Sequence, residues 1–149
     1  MGWPPHITVA AIVHRQDEFL MVEEMDAGLQ VVNQPAGHVE PGETIQSAVL
    51  REVLEETGWE VRLQAFCGHY EYYAANQDIL YHRMTFAAEP LHQITEQLDP
   101  DILRASWMSV EEISKARHRS PLVMRCLNDF LNGQKAPLSF VQSLGTSII

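Results

Sequence analysis

A chain of 149 residues is long enough for one domain with a sizeable core and too short for two ordinary ones, so a single domain over residues 1–149 is expected. No apolar run approaches the ~18 residues of a membrane span, and a net charge of −10 argues against a general nucleic-acid-binding surface, which would be basic. The same acidity repels phosphate-bearing ligands unless cations mediate the contact.

Residues 7–13 are apolar and β-branched and predict a buried strand. Residues 15–18 read as a turn, and residues 19–22 as the hairpin partner. Asp26-Ala27-Gly28 signals another turn before a short strand at 29–32. Two prolines and two glycines between Pro35 and Gly42 predict a loop. Residues 44–57 favour helix, and Gly58 suits its C-terminal stop. Strands are expected at 61–66 and 69–73, then a turn at 74–78 and a longer strand at 79–88. Ser109-Val110-Glu111-Glu112 is a capping box that opens a short helix. Ser120-Pro121 opens another, with proline at the first helical position and Gly133 ending it. Residues 134–149 carry no clear signal and are expected to be a tail or a packed arm. Interleaved strands and helices give an α/β domain with a central mixed sheet between helices.

The chemistry concentrates in Gly37-His38-Val39-Glu40-Pro41-Gly42-Glu43 and Arg51-Glu52-Val53-Leu54-Glu55-Glu56-Thr57-Gly58. At about 100° per residue, Glu52, Glu55 and Glu56 share an arc of about 100° on one helix face. They continue an apolar stripe of Ile45, Ala48 and Val49, while Leu50, Val53 and Leu54 form a second apolar sector. Three carboxylates on a partly inward face repel one another and lose solvation. A hard divalent cation removes the conflict, because Mg²⁺ and Mn²⁺ prefer oxygen ligands. Such an ion also explains how an acidic protein holds a phosphate, since it activates water and shields phosphoryl oxygens. Arg51 is expected to point away from the cluster and to pair with Glu43, tying loop to helix. A lone Glu-x-x-Glu-Glu is more often a solvated acidic helix; the full pattern is more specific.

Gly37, five residues, Glu43, seven residues, and then Arg51 to Trp59 resemble the Nudix box. Trp59 stands where the family usually has an aliphatic residue and is expected to pack. The resemblance implies a Nudix-type α/β/α sandwich with a catalytic loop-helix-loop, hydrolysing diphosphates linked to another moiety with Mg²⁺ or Mn²⁺. It implies Glu52, Glu55 and Glu56 as metal ligands, with Glu52 or Glu55 also orienting or deprotonating the water and Arg51 in the catalytic set. The backbone carbonyl of Ala36 matches a family ligand position, and Gly37, Glu43 and Gly58 are motif positions. Asp101, six residues before Trp107, fits a further family acid and equally a solvated loop acid; Glu40 is a weaker candidate.

Pro5-His6-Ile7-Thr8-Val9-Ala10, Val22-Glu23-Glu24, Asn33-Gln34-Pro35-Ala36-Gly37-His38 and Ser120-Pro121-Leu122-Val123 resemble the NudJ-type phosphatase branch. That branch implies release of terminal phosphate from nucleoside tri- and diphosphates and from the pyrimidine diphosphate precursor of thiamine. It often has tryptophan where this chain has Val32. The rival substrates are ADP-ribose or a sugar nucleotide. A reading of another class is a non-catalytic nucleotide-sensing module, against which the retained Glu52, Glu55 and Glu56 argue.

Asn33 and Gln34 are candidates to read a base or polar ring, and Arg83 to touch a phosphate; loop hydrogen bonding and a structural role are the alternatives. Tyr70, Tyr72 and Tyr73 are candidates to stack on a base, though Tyr70 and Tyr72 alternate as sheet-packing residues do. His69 and His82 with Cys67 could suggest a zinc site, but no second cysteine pair supports it and ordinary strand residues are the favoured reading. Cys67 and Cys126 read as ordinary thiols in a reducing cytosol. The expectation is a cytoplasmic enzyme acting on a small nucleotide or diphosphate, without nucleic-acid or membrane partners, as a monomer or homodimer.

Overall fold

A computed structural model describes residues 4–145. Its backbone is organised around one strand, β1 (His6–Arg15). The hairpin partner β2 (Glu18–Asp26) joins only at the far end, through His14–Phe19 and Arg15–Glu18. It then turns away to pair with β3 (Leu29–Asn33). The near end of β1 pairs antiparallel with β4 (Ala36–His38). After helix α1 (Ile45–Thr57) come β5 (Trp59–Ala74) and β6 (Ile79–Gln93), a long antiparallel pair. β6 runs parallel to β1 from His6–Tyr81 to Val13–Ala88. β7 (Ile102–Ser109) returns to β2. The last helices are α2 (Val110–Lys115) and α3 (Leu122–Leu131).

Side chains alternate across β1, and the two faces carry two cores. Val9, Ala11 and Val13 join Phe86 and Ala88 beneath Ala48, Val49 and Val53 of α1. Ile12 faces the other way, into Phe19, Met21, Ile113 of α2, and Val123, Cys126 and Leu127 of α3. The expected α/β/α sandwich with a mixed sheet is therefore present.

Local signals set the helix ends. Thr44 and Ser47 form a capping box at the start of α1, and Gly58 ends it at φ 77°, its N–H donating to the Leu54 carbonyl. Ser109 and Glu112 form the expected box on α2. In α3, Pro121 is the capping residue rather than the first helical one, the helix ends at Leu131, and Asn132 precedes Gly133.

Three further expectations need correction, and one left open is decided. Residues 36–38, expected in a loop, form β4, because β1 offers an unpaired backbone edge there. Residues 61–66 and 69–73 belong to one strand, β5, whose register shifts at Glu60/Val61, Leu63/Ala65 and Phe66/Gly68 absorb the break between them. β6 runs to Gln93, five residues beyond the predicted end, held by β5. Of the C-terminal segment, residues 134–141 are a packed arm. Ala136 exchanges backbone hydrogen bonds with Phe66 at 2.9 and 2.7 Å, Leu138–Phe140 form a 3-10 turn, and Leu138 and Val141 pack on the α1 core.

Candidate active site

The box begins on β4, runs through α1 and ends at Trp59, the first residue of β5, so the site stands where sheet backbone and helix face each other. Gly37 packs directly on Glu52: a Cβ at position 37 would lie 2.2 Å from the Glu52 carboxyl carbon. Glycine here supplies space rather than an unusual φ, and only glycine lets that carboxyl approach the loop backbone.

Arg51 organises the cluster. Its guanidinium grips both oxygens of Glu43, at 2.5 and 2.9 Å. It also reaches the His38 carbonyl at 3.0 Å, which ties the loop to the helix as expected. The expectation that it points away from the glutamates is wrong. Nη1 donates to Glu52 at 2.7 Å and to Glu55 at 3.2 Å, because five donors on a long flexible stem serve both sides at once. These bonds hold the Glu43 carboxyl below the usual carboxylate range and push the Arg51 pKa up.

The box glutamates differ in surroundings. Glu52 is 8 % exposed, and its burial raises its pKa despite Arg51. Glu55 is 42 % exposed at the side chain. Glu56 accepts the Ala36 N–H at 2.9 Å. Burial nevertheless pushes its carboxyl up to about 8, with the charges of Glu52, Glu24 and Asp99 adding to the effect.

Glu56 also lines a cleft of about 430 Å³. Ala36, Gly37 and His38 form one wall, and Asp101 stands on the rim with Glu24, Asp26 and Asp99. Asp101 is thus brought to the box, whereas Glu40 lies outside the cleft, 3.6 Å from Arg51. Asp99 and Arg119 carry no expectation from the sequence, and Glu24 only its place in the Val22-Glu23-Glu24 segment. The Asp99 N–H donates to the Glu55 carbonyl at 2.9 Å, so this segment is anchored to α1. Arg119 pairs with Glu24 at 2.6 Å. A further signal for Glu24 is that Glu23 and Glu24 follow the apolar run Phe19–Val22 in β2 and are buried there.

Asn33 and Arg83 line the cleft, as do Tyr72 and Tyr81. Gln34 does not. It is 1 % exposed, donates to the Val123 carbonyl at 2.8 Å and accepts from Arg83 at 3.3 Å, so it lies behind the wall instead of reaching a ligand. Tyr70 hydrogen-bonds Asp129 away from the cleft, and Tyr73 bonds Asp78 in the turn. His69 and His82 contact each other at 3.0 Å, and Cys67 and Cys126 are buried free thiols.

Among the described residues, no three His, Cys, Asp or Glu side chains already converge as a closed ligand set. Arg51 holds Glu52 and Glu55, while the Ala36 N–H holds Glu56. The chemistry of the donors still fits a hard divalent ion. They are oxygens only, in excess over nearby cations, and two of the carboxyls resist ionisation for lack of solvation.

Residues 4–126 match the model of the NUDIX domain family. The phosphatase NudJ of Shigella boydii serotype 4 (strain Sb227) is 42 % identical over 140 residues, which span 92 % of this chain and 90 % of that protein. Its namesake in Escherichia coli (strain K12) is 41 % identical over 140 residues, with the same coverage. A NUDIX hydrolase from Nitrosomonas europaea superposes with a TM-score of 0.91 at 41 % identity, over 94 % of this chain and 97 % of the other.

Proposed function

The chain belongs to the Nudix family and is a hydrolase of phosphorus-containing anhydrides, and on that premise we propose a Mg²⁺-dependent phosphatase. Its substrates are nucleoside tri- and diphosphates and related diphosphates, such as the hydroxymethylpyrimidine diphosphate precursor of thiamine, and phosphate is the product released. The observation that carries this reading is the poorly solvated carboxylate pair of Glu52 and Glu56 beside a cleft that also holds Arg83. The names of the relatives from Shigella boydii and Escherichia coli support phosphatase action.

Glu52, Glu55, Glu56, the Ala36 carbonyl and Asp101 would hold the ion, with Mn²⁺ an alternative to Mg²⁺. When bound, the ion supplies positive charge to the phosphoryl oxygens and lowers the pKa of water. Glu52 or Glu55 orients the attacking water or takes its proton. Arg51 fixes both carboxylates against the Glu43 loop. Asn33 and Arg83 meet the substrate, and Gln34 supports them from behind. The enzyme works in the cytoplasm on small molecules, as a monomer or homodimer. No helix among the described residues is long and apolar enough to cross a membrane.

Purified protein with Mg²⁺ should release inorganic phosphate from a nucleoside di- or triphosphate, followed by ³¹P NMR. Glu55→Gln should lower the rate at least ~100-fold, the scale lost when a transition-state contact goes. Equal rates would overturn the ligand assignment. Production of AMP and ribose phosphate from ADP-ribose, without release of terminal phosphate, would favour a sugar-nucleotide pyrophosphatase. Absence of turnover on all diphosphates, with nucleotide binding retained, would favour the sensing module.

A further inference from the structure

Arg83 is 5 % exposed, yet no carboxylate among the described residues lies within ion-pair distance of it. Burying a charge without a counter-charge is costly, and proteins tolerate it where a ligand supplies the opposite sign. The nearby arginines differ in this respect: Arg51 is saturated by Glu43, Glu52 and Glu55, and Arg119 by Glu24 and Asp26. Arg83 meets only neutral acceptors, each at long range. Nη1 reaches Gln34 Oε1 at 3.3 Å and Cys126 Sγ at 4.0 Å, and Nη2 reaches Asn33 Oδ1 at 3.3 Å.

These contacts orient the guanidinium without neutralising it. Gln34 is itself pinned, since its amide donates to the Val123 carbonyl at the start of α3. The guanidinium has five N–H donors, and the neutral acceptors take three of them. No polar side-chain atom among the described residues is both buried and without a partner. Nε and the second N–H of Nη2 make no hydrogen bond among the described residues, and Arg83 lines the cleft.

The position on the sheet adds a second argument. Thr8 of β1 pairs with His38 of β4 on one side and with Arg83 of β6 on the other. Arg83 thus stands two strands, or about 10 Å, from the box loop in one cross-strand row. That separation keeps it out of the glutamates' reach, while Glu56 and Arg83 still face one cavity.

We propose that Arg83, held by Gln34 and Asn33, is the residue that grips a phosphate group of the substrate at the end of the cleft away from the box glutamates. The two planar ends of the guanidinium match phosphate oxygens in pairs. The proposal deepens the phosphatase reading and rests on it for the identity of the anion, but the binding itself needs neither metal nor turnover.

The test is calorimetric titration of inorganic pyrophosphate into the metal-free, full-length protein. Wild type should bind. Arg83→Met should bind at least about tenfold more weakly, and Glu55→Gln at least as tightly as wild type. Arg83→Lys keeps the charge without the fork and should also weaken binding, while raising KM for a nucleoside diphosphate more than it lowers kcat. If Arg83→Met does not fold, Arg83→Lys decides alone. Absence of binding by wild type, or equal affinity in wild type and the Arg83 variants, would overturn the proposal. Pyrophosphate binding lost with Arg83, in a protein that hydrolyses no diphosphate, would uphold the anion site and reject the phosphatase reading instead.

Discussion

On the proposed reading, Glu56 is the residue at which folding and metal binding oppose each other. Its folded pKa of about 8 lies above the ordinary carboxylate value of 4.5. Between those values the unfolded chain has lost this proton while the folded chain keeps it. The contribution is therefore fully present below the lower value and is lost as pH rises towards the upper one. Glu56→Gln removes that slope. In metal-free protein, the melting temperature of the variant should rise relative to wild type between about pH 5 and about pH 8; parallel curves in scanning calorimetry would count against it. A cation that needs the ionised carboxylate releases the proton on binding. Added Mg²⁺ should accordingly stabilise wild type more at the higher pH.

At the scale of the element, α1 is a helix fixed at both ends by chemistry that the sequence states openly. Threonine and serine cap its start, and glycine turns the chain at its end. Gly58 does more than adopt a positive φ. Its carbonyl accepts the N–H groups of Ile94 and Thr95, and a Cβ there would lie 2.0 Å from the Thr95 carbonyl oxygen. Gly58→Ala should therefore cost more than about 2 kcal/mol, measured by urea unfolding, because backbone strain adds to a clash with backbone that has little room to move. The Gly58 stop of α1 and the Ser109–Glu112 box of α2 were legible because their partners lie within a few residues, whereas the Thr44–Ser47 box was not read. β4 was not, since proline and glycine composition says nothing about the free edge of β1 that pairs with it. The reach of Arg51 to Glu52 and Glu55 was missed for a related reason: helical projection places Cα atoms, not the ends of long side chains.

For the whole molecule, the sandwich and the box were readable from alternating apolar residues and from fixed spacing. Part of the far side of the cleft was not, because Asp99, Glu24 and Arg119 come from separate segments joined by long-range pairing, whereas Arg83 was named from its own strand. The C-terminal arm is a similar case. Ala136 closes on Phe66 of the outer strand β5, and Leu138 and Val141 cover the α1 core, while Gln46 donates to the Val141 carbonyl. Ending the chain at Gly133 should lower unfolding free energy by about 2–4 kcal/mol, the scale of two partly buried aliphatic side chains with their backbone contacts. An unchanged denaturant midpoint would mean that the arm is dispensable.

The row His38–Thr8–Arg83 makes β1 a ruler between the box loop and Arg83. A slip of one residue in the pairing itself turns alternate side chains to the opposite face of the sheet. Insertions and deletions that retune ligand choice should thus be tolerated in the turn at residues 75–78, whose Asn76 and Gln77 reach the cleft rim, and rejected within β1.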